Sequence, residues 1–143
     1  DSWAAYRGYR DHVTQSKLDT FYARAQGRAA TFNGRVKLIR KFSMDAAKDF
    51  EKRSIDAVYI DANHDFRHVA EDLAEWGDKV RVGGIISGHD YREYTNQCFN
   101  HVVSVVDGWT HSYRIRPWFV FGRLAIIPDE IRDRSRSWCW IKE

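Results

Sequence analysis

Two short clusters of acidic residues and histidines follow apolar runs of the sequence. Asp61, His64 and Asp65 come after the run IDAVYI, and His89 and Asp90 come after GGIIS. Carboxylates and imidazoles are the usual groups for acid–base catalysis near neutral pH. Carboxylate oxygens also bind Mg²⁺, Mn²⁺ or Ca²⁺, and a histidine shifts the preference toward a transition metal. Asp65 is also well suited to cap a helix that follows it.

The apolar runs predict the elements that position these clusters. Residues 55–60 are typical of a buried strand, residues 66–80 of an amphipathic helix, and a second buried strand begins at residue 85 after a Gly-Gly break. Ligands bind at the carboxyl ends of strands in an open parallel sheet. We therefore expect Asp61 and Asp90 to lie side by side, with carboxylates within about 10 Å of each other.

The rest of the chain continues the alternation of helices and strands. It predicts an α/β fold, with a mostly parallel sheet that ends in an antiparallel hairpin, in a single domain over residues 1–143. The further predicted elements are a helix over 16–30, a strand over 35–42, a helix over 44–52 with Ser43 as N-cap, a helix over 96–107, antiparallel strands over 109–115 and 118–127, and a polar helix opening at Pro128.

Composition excludes several classes of function. The net charge of +3 is spread evenly over 143 residues, which argues against a nucleic-acid or membrane partner. Two cysteines, Cys98 and Cys139, are too few for a disulfide framework or a four-thiolate zinc site. No run is long enough to span a membrane, and we expect a soluble cytoplasmic protein. Trp138 and Trp140 are expected to anchor the tail onto the body or onto a partner chain.

The central segment resembles a known family. Residues 54–91 are similar to the region between the fourth and fifth strands of class I S-adenosylmethionine-dependent methyltransferases, within the small-molecule O-methyltransferase-like, methyltransferase-24-like group. The matching motifs are Asp61-Ala62-Asn63-His64-Asp65-Phe66, Asp72-Leu73, Gly83-Gly84 and His89-Asp90-Tyr91.

Weaker similarities flank this segment. Asp1-Ser2-Trp3 resembles the end of the family's second strand, Lys41-Phe42-Ser43 with Asp45-Ala46 resembles the adenine-side loop after its third strand, and residues 109–127 resemble its last two antiparallel strands. The resemblance implies a Rossmann-like sheet that lacks the N-terminal first strand and glycine-rich loop. In the family, the first two strands lie between the third and fourth. If both of these strands are absent, a gap of two strands separates the third strand from the fourth. Three alternatives follow: residues 35–42 pair with residues 55–60, a second copy in a homo-oligomer completes the sheet, or the sequence is a fragment.

The resemblance also implies roles for individual residues. The cofactor would be S-adenosylmethionine, with Asp1 on the ribose hydroxyls, Trp3 packed on the sugar or adenine, and Ser43 and Asp45 at the adenine edge. Asp61 would lie on the cofactor side of the site as well.

The implied reaction is methyl transfer to an oxygen of a small molecule. His64 would act as the base together with Asp61, and Asp61 and Asp90 match the positions where metal-dependent relatives hold a divalent ion such as Mg²⁺. Those relatives often have Asp-Asn after the fifth strand, whereas this chain has Asp90-Tyr91.

Two other classes of function remain open from the sequence. One is a degenerate or truncated methyltransferase-like binding module without activity. The other is a metal-dependent hydrolase built on Asp61, His64, His89 and Asp90. The scaffold alone does not choose between them, because it serves many functions.

Overall fold

A computed structural model describes residues 1–5, 14–93, 100–122 and 135–143. The chain forms two compact units, Asp1–Ala46 and Ala47–Glu143. The elements in chain order are α1 (Gln15–Ala30), α2 (Ser43–Ala47), β1 (Ile55–Ile60), α3 (Phe66–Lys79), β2 (Val80–Gly88), α4 (Val102–Ser112), β3 (Trp118–Phe121) and β4 (Ser137–Ile141). Within the described ranges, every helix is too short or too polar to cross a membrane.

The second unit contains a four-stranded sheet in the order β1-β2-β4-β3. β1 and β2 pair in parallel, with Ile60 opposite Gly88. β4 runs antiparallel to both of its neighbours, β2 and β3. Three strands therefore point in one direction and β4 in the other, in a mixed α/β architecture.

The core of this unit lies on one face of the sheet. The buried side chains come from α3, α4, β2 and β4, and they are Val69, Leu73, Val80, Ile86, Val102, Val105, Val106, Trp138 and Trp140. α3 is held against β1, β2 and α4. Exposed apolar side chains, including Tyr59, Ile85, Phe119 and Phe121, alternate with the core residues along the strands. One face of the sheet is therefore packed against α3 and α4, and the other carries partly exposed apolar side chains within the described residues.

Several sequence predictions are confirmed. The strand over 55–60 and the helix beginning at residue 66 are present, and Asp65 caps that helix by accepting from the Arg67 N–H at 3.1 Å. The tail is anchored on the body of its own unit, because Trp138 and Trp140 are 1% and 2% exposed and belong to β4.

The predicted C-terminal hairpin is wrong in its position. Residues 109–112 belong to α4, which packs Val105, Val106 and Thr110 inward at helical spacing, so the strand over 109–115 does not form. The helix over 96–107 is present from residue 102 and extends to residue 112. β3 covers only 118–121 of the predicted 118–127, and its antiparallel partner is β4. The helix opening at Pro128, and residues 96–99 and 123–127, lie outside the described residues.

The N-terminal predictions also need correction. Residues 35–42 are not a strand, so they do not pair with β1, whose one described partner is β2. The helix predicted over 44–52 is shorter, and it begins at Ser43 itself. Ser43 is therefore its first residue and not its N-cap, since the Phe42 carbonyl accepts the first helical hydrogen bonds. β2 also begins earlier than expected, because the chain passes directly from α3 into the strand and runs on through the Gly-Gly pair.

Candidate functional site

The carboxyl ends of β1 and β2 bring Asp61 and Asp90 together. The two strands end at paired positions, Ile60 and Gly88, and the His89 N–H donates to the Ile60 carbonyl at 3.0 Å. This bond carries the parallel ladder one residue beyond the strands. Both acidic residues therefore leave the sheet at the same edge, as the strand-end argument predicts.

His64 lies between the two carboxylates. Its Nε2 is 2.9 Å from Asp90 Oδ2 and 4.0 Å from Asp61 Oδ1. One ligand atom from each of Asp61, His64 and Asp90 falls within 4.8 Å of the others. His89 approaches from the strand side, with Nδ1 3.3 Å from Asp90 Oδ2. The four residues that the sequence singled out thus form one cluster, which we name the strand-end cluster.

Asp90 is fixed from three directions. Ser135 Oγ donates to its Oδ1 at 2.6 Å, His64 contacts Oδ2, and Asn100 Nδ2 donates to its backbone carbonyl at 2.9 Å. Its backbone φ of 54° lies in the left-handed region, which a residue with a side chain seldom adopts. Such a conformation persists where surrounding contacts hold it, and it is common at functional sites. Sequence reasoning missed Ser135 and Asn100, which are 45 and 10 residues away from Asp90.

The loop that carries His64 is held by the start of α4. The His101 N–H donates to the His64 carbonyl at 2.9 Å, and His101 Nδ1 accepts from the Phe66 N–H at 3.0 Å. Within the loop, Asn63 Oδ1 accepts from the Asp65 N–H at 2.9 Å. The sequence analysis did not identify His101 as a residue that holds this loop, because its contacts with Phe66 and His64 span 35 and 37 residues of sequence.

The cluster has strongly shifted proton affinities. The carboxylates of Asp61 and Asp90 raise the pKa of His64 to about 9, against a smaller opposing effect of burial. The hydrogen bond from His64, aided by the one from Ser135, holds the pKa of Asp90 well below its usual range. At neutral pH His64 is therefore an imidazolium that is stabilised by the two carboxylates. It must lose this proton before it can act as a base.

Tyr91 follows Asp90, at the position where the resemblance implies an Asn in metal-dependent members of the family. Its hydroxyl donates to Asp107 Oδ1 at 2.7 Å, and the Arg136 guanidinium lies 5.3 Å from the centre of its ring. Burial, together with this hydrogen bond, raises the pKa of Tyr91 to about 12. Tyr91 is therefore a neutral phenol whose hydroxyl is hydrogen-bonded to α4.

The proposed cofactor residues of the first unit are close to one another. The Lys41 N–H donates to the Asp1 carbonyl at 3.2 Å, which joins the N-terminal residues to the segment immediately before Ser43 and Asp45. The Asp1 carboxylate is exposed and accepts from the Trp3 N–H at 3.0 Å.

Trp3 has packing contacts of its own. Its ring contacts Tyr22 at 4.9 Å between centroids, and its carbonyl accepts from Gln15 and Arg40. Asp1, Trp3, Ser43 and Asp45 therefore belong to the first unit, while the strand-end cluster belongs to the second.

Comparison with known protein families gives a match. A family model described as a methyltransferase domain matches residues 2–91, which is well over half of the chain. The matched stretch includes the strand-end cluster and all of the proposed cofactor residues except Asp1. Among curated proteins, no match is found.

Proposed function

Since this chain belongs to the methyltransferase domain family, we propose that it transfers a methyl group from S-adenosylmethionine to an oxygen of a small molecule. The observation that carries the proposal is the strand-end cluster, which unites Asp61, His64 and Asp90 at the carboxyl ends of two adjacent parallel strands. A Rossmann-like sheet of the family type is part of the same proposal. The four-stranded sheet with three strands in one direction supports it.

We propose that the first unit binds the nucleoside part of the cofactor. An exposed carboxylate such as that of Asp1 can accept hydrogen bonds from two ribose hydroxyls, in the manner common to nucleotide-binding α/β folds. Ser43 and Asp45 lie at the start of α2, and we assign them to the adenine edge as the resemblance implies. Trp3 is half-buried and offers an aromatic surface beside them. The resemblance also assigns Asp61 to the cofactor.

His64 is the base in this proposal, and Asp61 is its partner. The acceptor hydroxyl must lose a proton as its oxygen attacks the methyl carbon, while the bond from that carbon to sulfur breaks. The neutral imidazole of His64 takes this proton, and the carboxylates on either side stabilise the imidazolium that forms. Alignment of acceptor oxygen, methyl carbon and sulfur supplies the remaining part of the catalysis.

The donor set of the cluster also fits a divalent cation. Two carboxylates and one imidazole within 4.8 Å are ligands that suit Mn²⁺ or another transition metal better than Ca²⁺. We propose that Asp61 and Asp90 hold such an ion, with His64 in its neutral form as the third ligand instead of as the base. When bound, the ion would lower the pKa of an acceptor hydroxyl. Ser135 and His89 would keep Asp90 oriented in either state.

Calorimetric titration tests the proposal and separates it from the alternatives. S-adenosylmethionine and S-adenosylhomocysteine are each titrated into the chain, with Mn²⁺ and then with a chelator. We expect cofactor binding that survives the chelator. Cofactor binding without any methyl transfer would indicate a binding module, whereas binding of Mn²⁺ without binding of either nucleoside would favour a metal-dependent hydrolase and contradict the proposal.

A further inference from the structure

A cavity of about 270 Å³ lies in the second unit, on the helix-covered side of the sheet. Its apolar lining includes Leu73, Ile86 and Trp140, and the C-terminal turn of α4 adds the rings of Trp109 and Tyr113. None of the residues of the strand-end cluster lines it. The cavity is therefore separate from the candidate site, and what it binds does not depend on the proposed function.

The aromatic rings in and behind this lining form two contacting pairs. The ring centroids of Trp109 and Tyr113 are 4.8 Å apart, while Trp140 is almost completely buried and stacks on Trp138 at 5.1 Å. Aromatic rings pack well against planar ligands through offset or edge contacts. The volume is at the lower end for ligand pockets, which suits one or two fused rings.

The charged side chains around the cavity differ in their hydrogen-bond and ion-pair partners. Lys142 Nζ donates to the carbonyls of Gly77 and Val80, and Asp78 pairs with Lys52 at 2.8 Å. Arg116 is exposed and makes no hydrogen bond or ion pair within the described part of the chain.

The charged residues of the lining are two basic and two acidic ones. Arg116 and Lys142 line the cavity together with Asp78 and Glu143, and the carboxylate of Asp78 is already paired with Lys52. The guanidinium of Arg116 is thus the group with free donors at the mouth of an apolar, aromatic-lined cavity. Planar guanidinium groups bind carboxylates through two parallel hydrogen bonds.

We propose that this cavity binds a small planar aromatic carboxylate, with its ring against Trp109, Tyr113 and the apolar floor and its carboxylate on Arg116. The ring burial supplies most of the affinity, and the guanidinium selects the anion over a neutral ligand of the same shape.

Two variants of a glycine test the location of the ligand. Gly77 lines the cavity, and a Cβ built there has one neighbour within 4 Å, the Ile86 side chain at the ordinary contact distance of 3.7 Å. Gly77→Leu therefore fills the cavity. Gly108→Leu is the matched control, because it makes the same change within a helix, at a position with nothing within 4 Å and outside the cavity. Gly77→Ala is the milder variant if Gly77→Leu loses its helical circular dichroism spectrum.

The probes are 2-naphthoate and its neutral analogue 2-naphthamide, titrated into the full chain by ligand-observed NMR. We expect Gly77→Leu to weaken both probes at least about tenfold, and Gly108→Leu to leave both unchanged. Arg116→Gln should weaken 2-naphthoate about tenfold and leave 2-naphthamide unchanged, while Arg114→Gln, a nearby exposed arginine outside the cavity, changes neither.

Each remaining outcome overturns the proposal. Absence of binding of either probe at millimolar concentration shows that the cavity does not take an aromatic ring. Equal binding by wild type and both glycine variants at position 77 places the ligand elsewhere. If Arg116→Gln changes the affinities for 2-naphthoate and 2-naphthamide equally, Arg116 does not bind the carboxylate.

Discussion

The contact of His64 with two carboxylates makes the stability of the metal-free protein depend on pH. The pH is raised from about 6 to about 9.5 in the presence of a chelator. The same change is applied to the variant His64→Gln, which lacks the titrating imidazole. The pKa of His64 is raised from 6.5 to about 9. Its contribution to the free energy of unfolding is therefore complete below pH 6.5 and is lost as the pH rises through about 9.

The magnitude follows from the same shift. A rise of the pKa from 6.5 to about 9 corresponds to about 3 kcal/mol of folding free energy. The side chain of His64 is 35% exposed, and solvent screening reduces this to about 1–2 kcal/mol. Asp90 behaves in the opposite sense, since its pKa is lowered: its contribution is present above its unfolded value of 3.8 and is lost as the pH falls below that value.

Urea unfolding followed by tryptophan fluorescence measures this loss. Five of the six tryptophans, all except Trp3, belong to the unit that contains the cluster, so the signal reports on that unit. The free energy of unfolding of the wild type should fall by about 1–2 kcal/mol more than that of His64→Gln between the two pH values. His111→Gln, at an exposed histidine in the last turn of α4, should follow the wild type. Parallel pH profiles for wild type and His64→Gln would refute the coupling of His64 to the carboxylates.

Three further predictions concern stability and binding. Gly88→Ala should destabilise the fold by at least about 3 kcal/mol in urea, because its Cβ would lie 2.4 Å from a Trp138 ring atom, whereas Gly108→Ala should stabilise it by about 0.5–1 kcal/mol. Ser135→Ala should cost about 1–2 kcal/mol by removing the hydrogen bond to Asp90, and Ser135→Thr should restore most of it. Calorimetry on residues 1–143 should give a dissociation constant for S-adenosylmethionine weaker than about 1 μM, because the resemblance assigns the methionine part to a glycine-rich loop that these residues do not include; submicromolar binding would contradict this.

The parts of the fold that the sequence predicts correctly are those set by local pattern. Residues 55–60 are a short apolar run with an acidic end, and the spacing of Phe66, Val69 and Leu73 defines one face of α3. The proximity of Asp61 and Asp90 follows from topology alone, since parallel neighbouring strands end at the same edge.

The parts that the sequence does not predict depend on contacts between distant segments. Residues 109–112 are rich in side chains that suit strands, yet they continue a helix because Val106 and Thr110 pack at helical spacing. β4 contains five residues and forms because β2 and β3 pair with it on both sides. Ser135 and Asn100 reach Asp90 through that same long-range arrangement, and no local pattern marks them.

The most direct test of the proposed function is transfer of a labelled methyl group. The wild-type chain, Asp61→Asn and His64→Ala are assayed with saturating S-adenosylmethionine over a panel of small hydroxyl compounds, with and without Mn²⁺, near pH 9 where the neutral imidazole of His64 is populated. The proposal predicts methylated product from the wild type and a loss of about 10²–10⁴-fold in each folded variant. Absence of product from the wild type, or transfer at the wild-type rate by both variants, would contradict it.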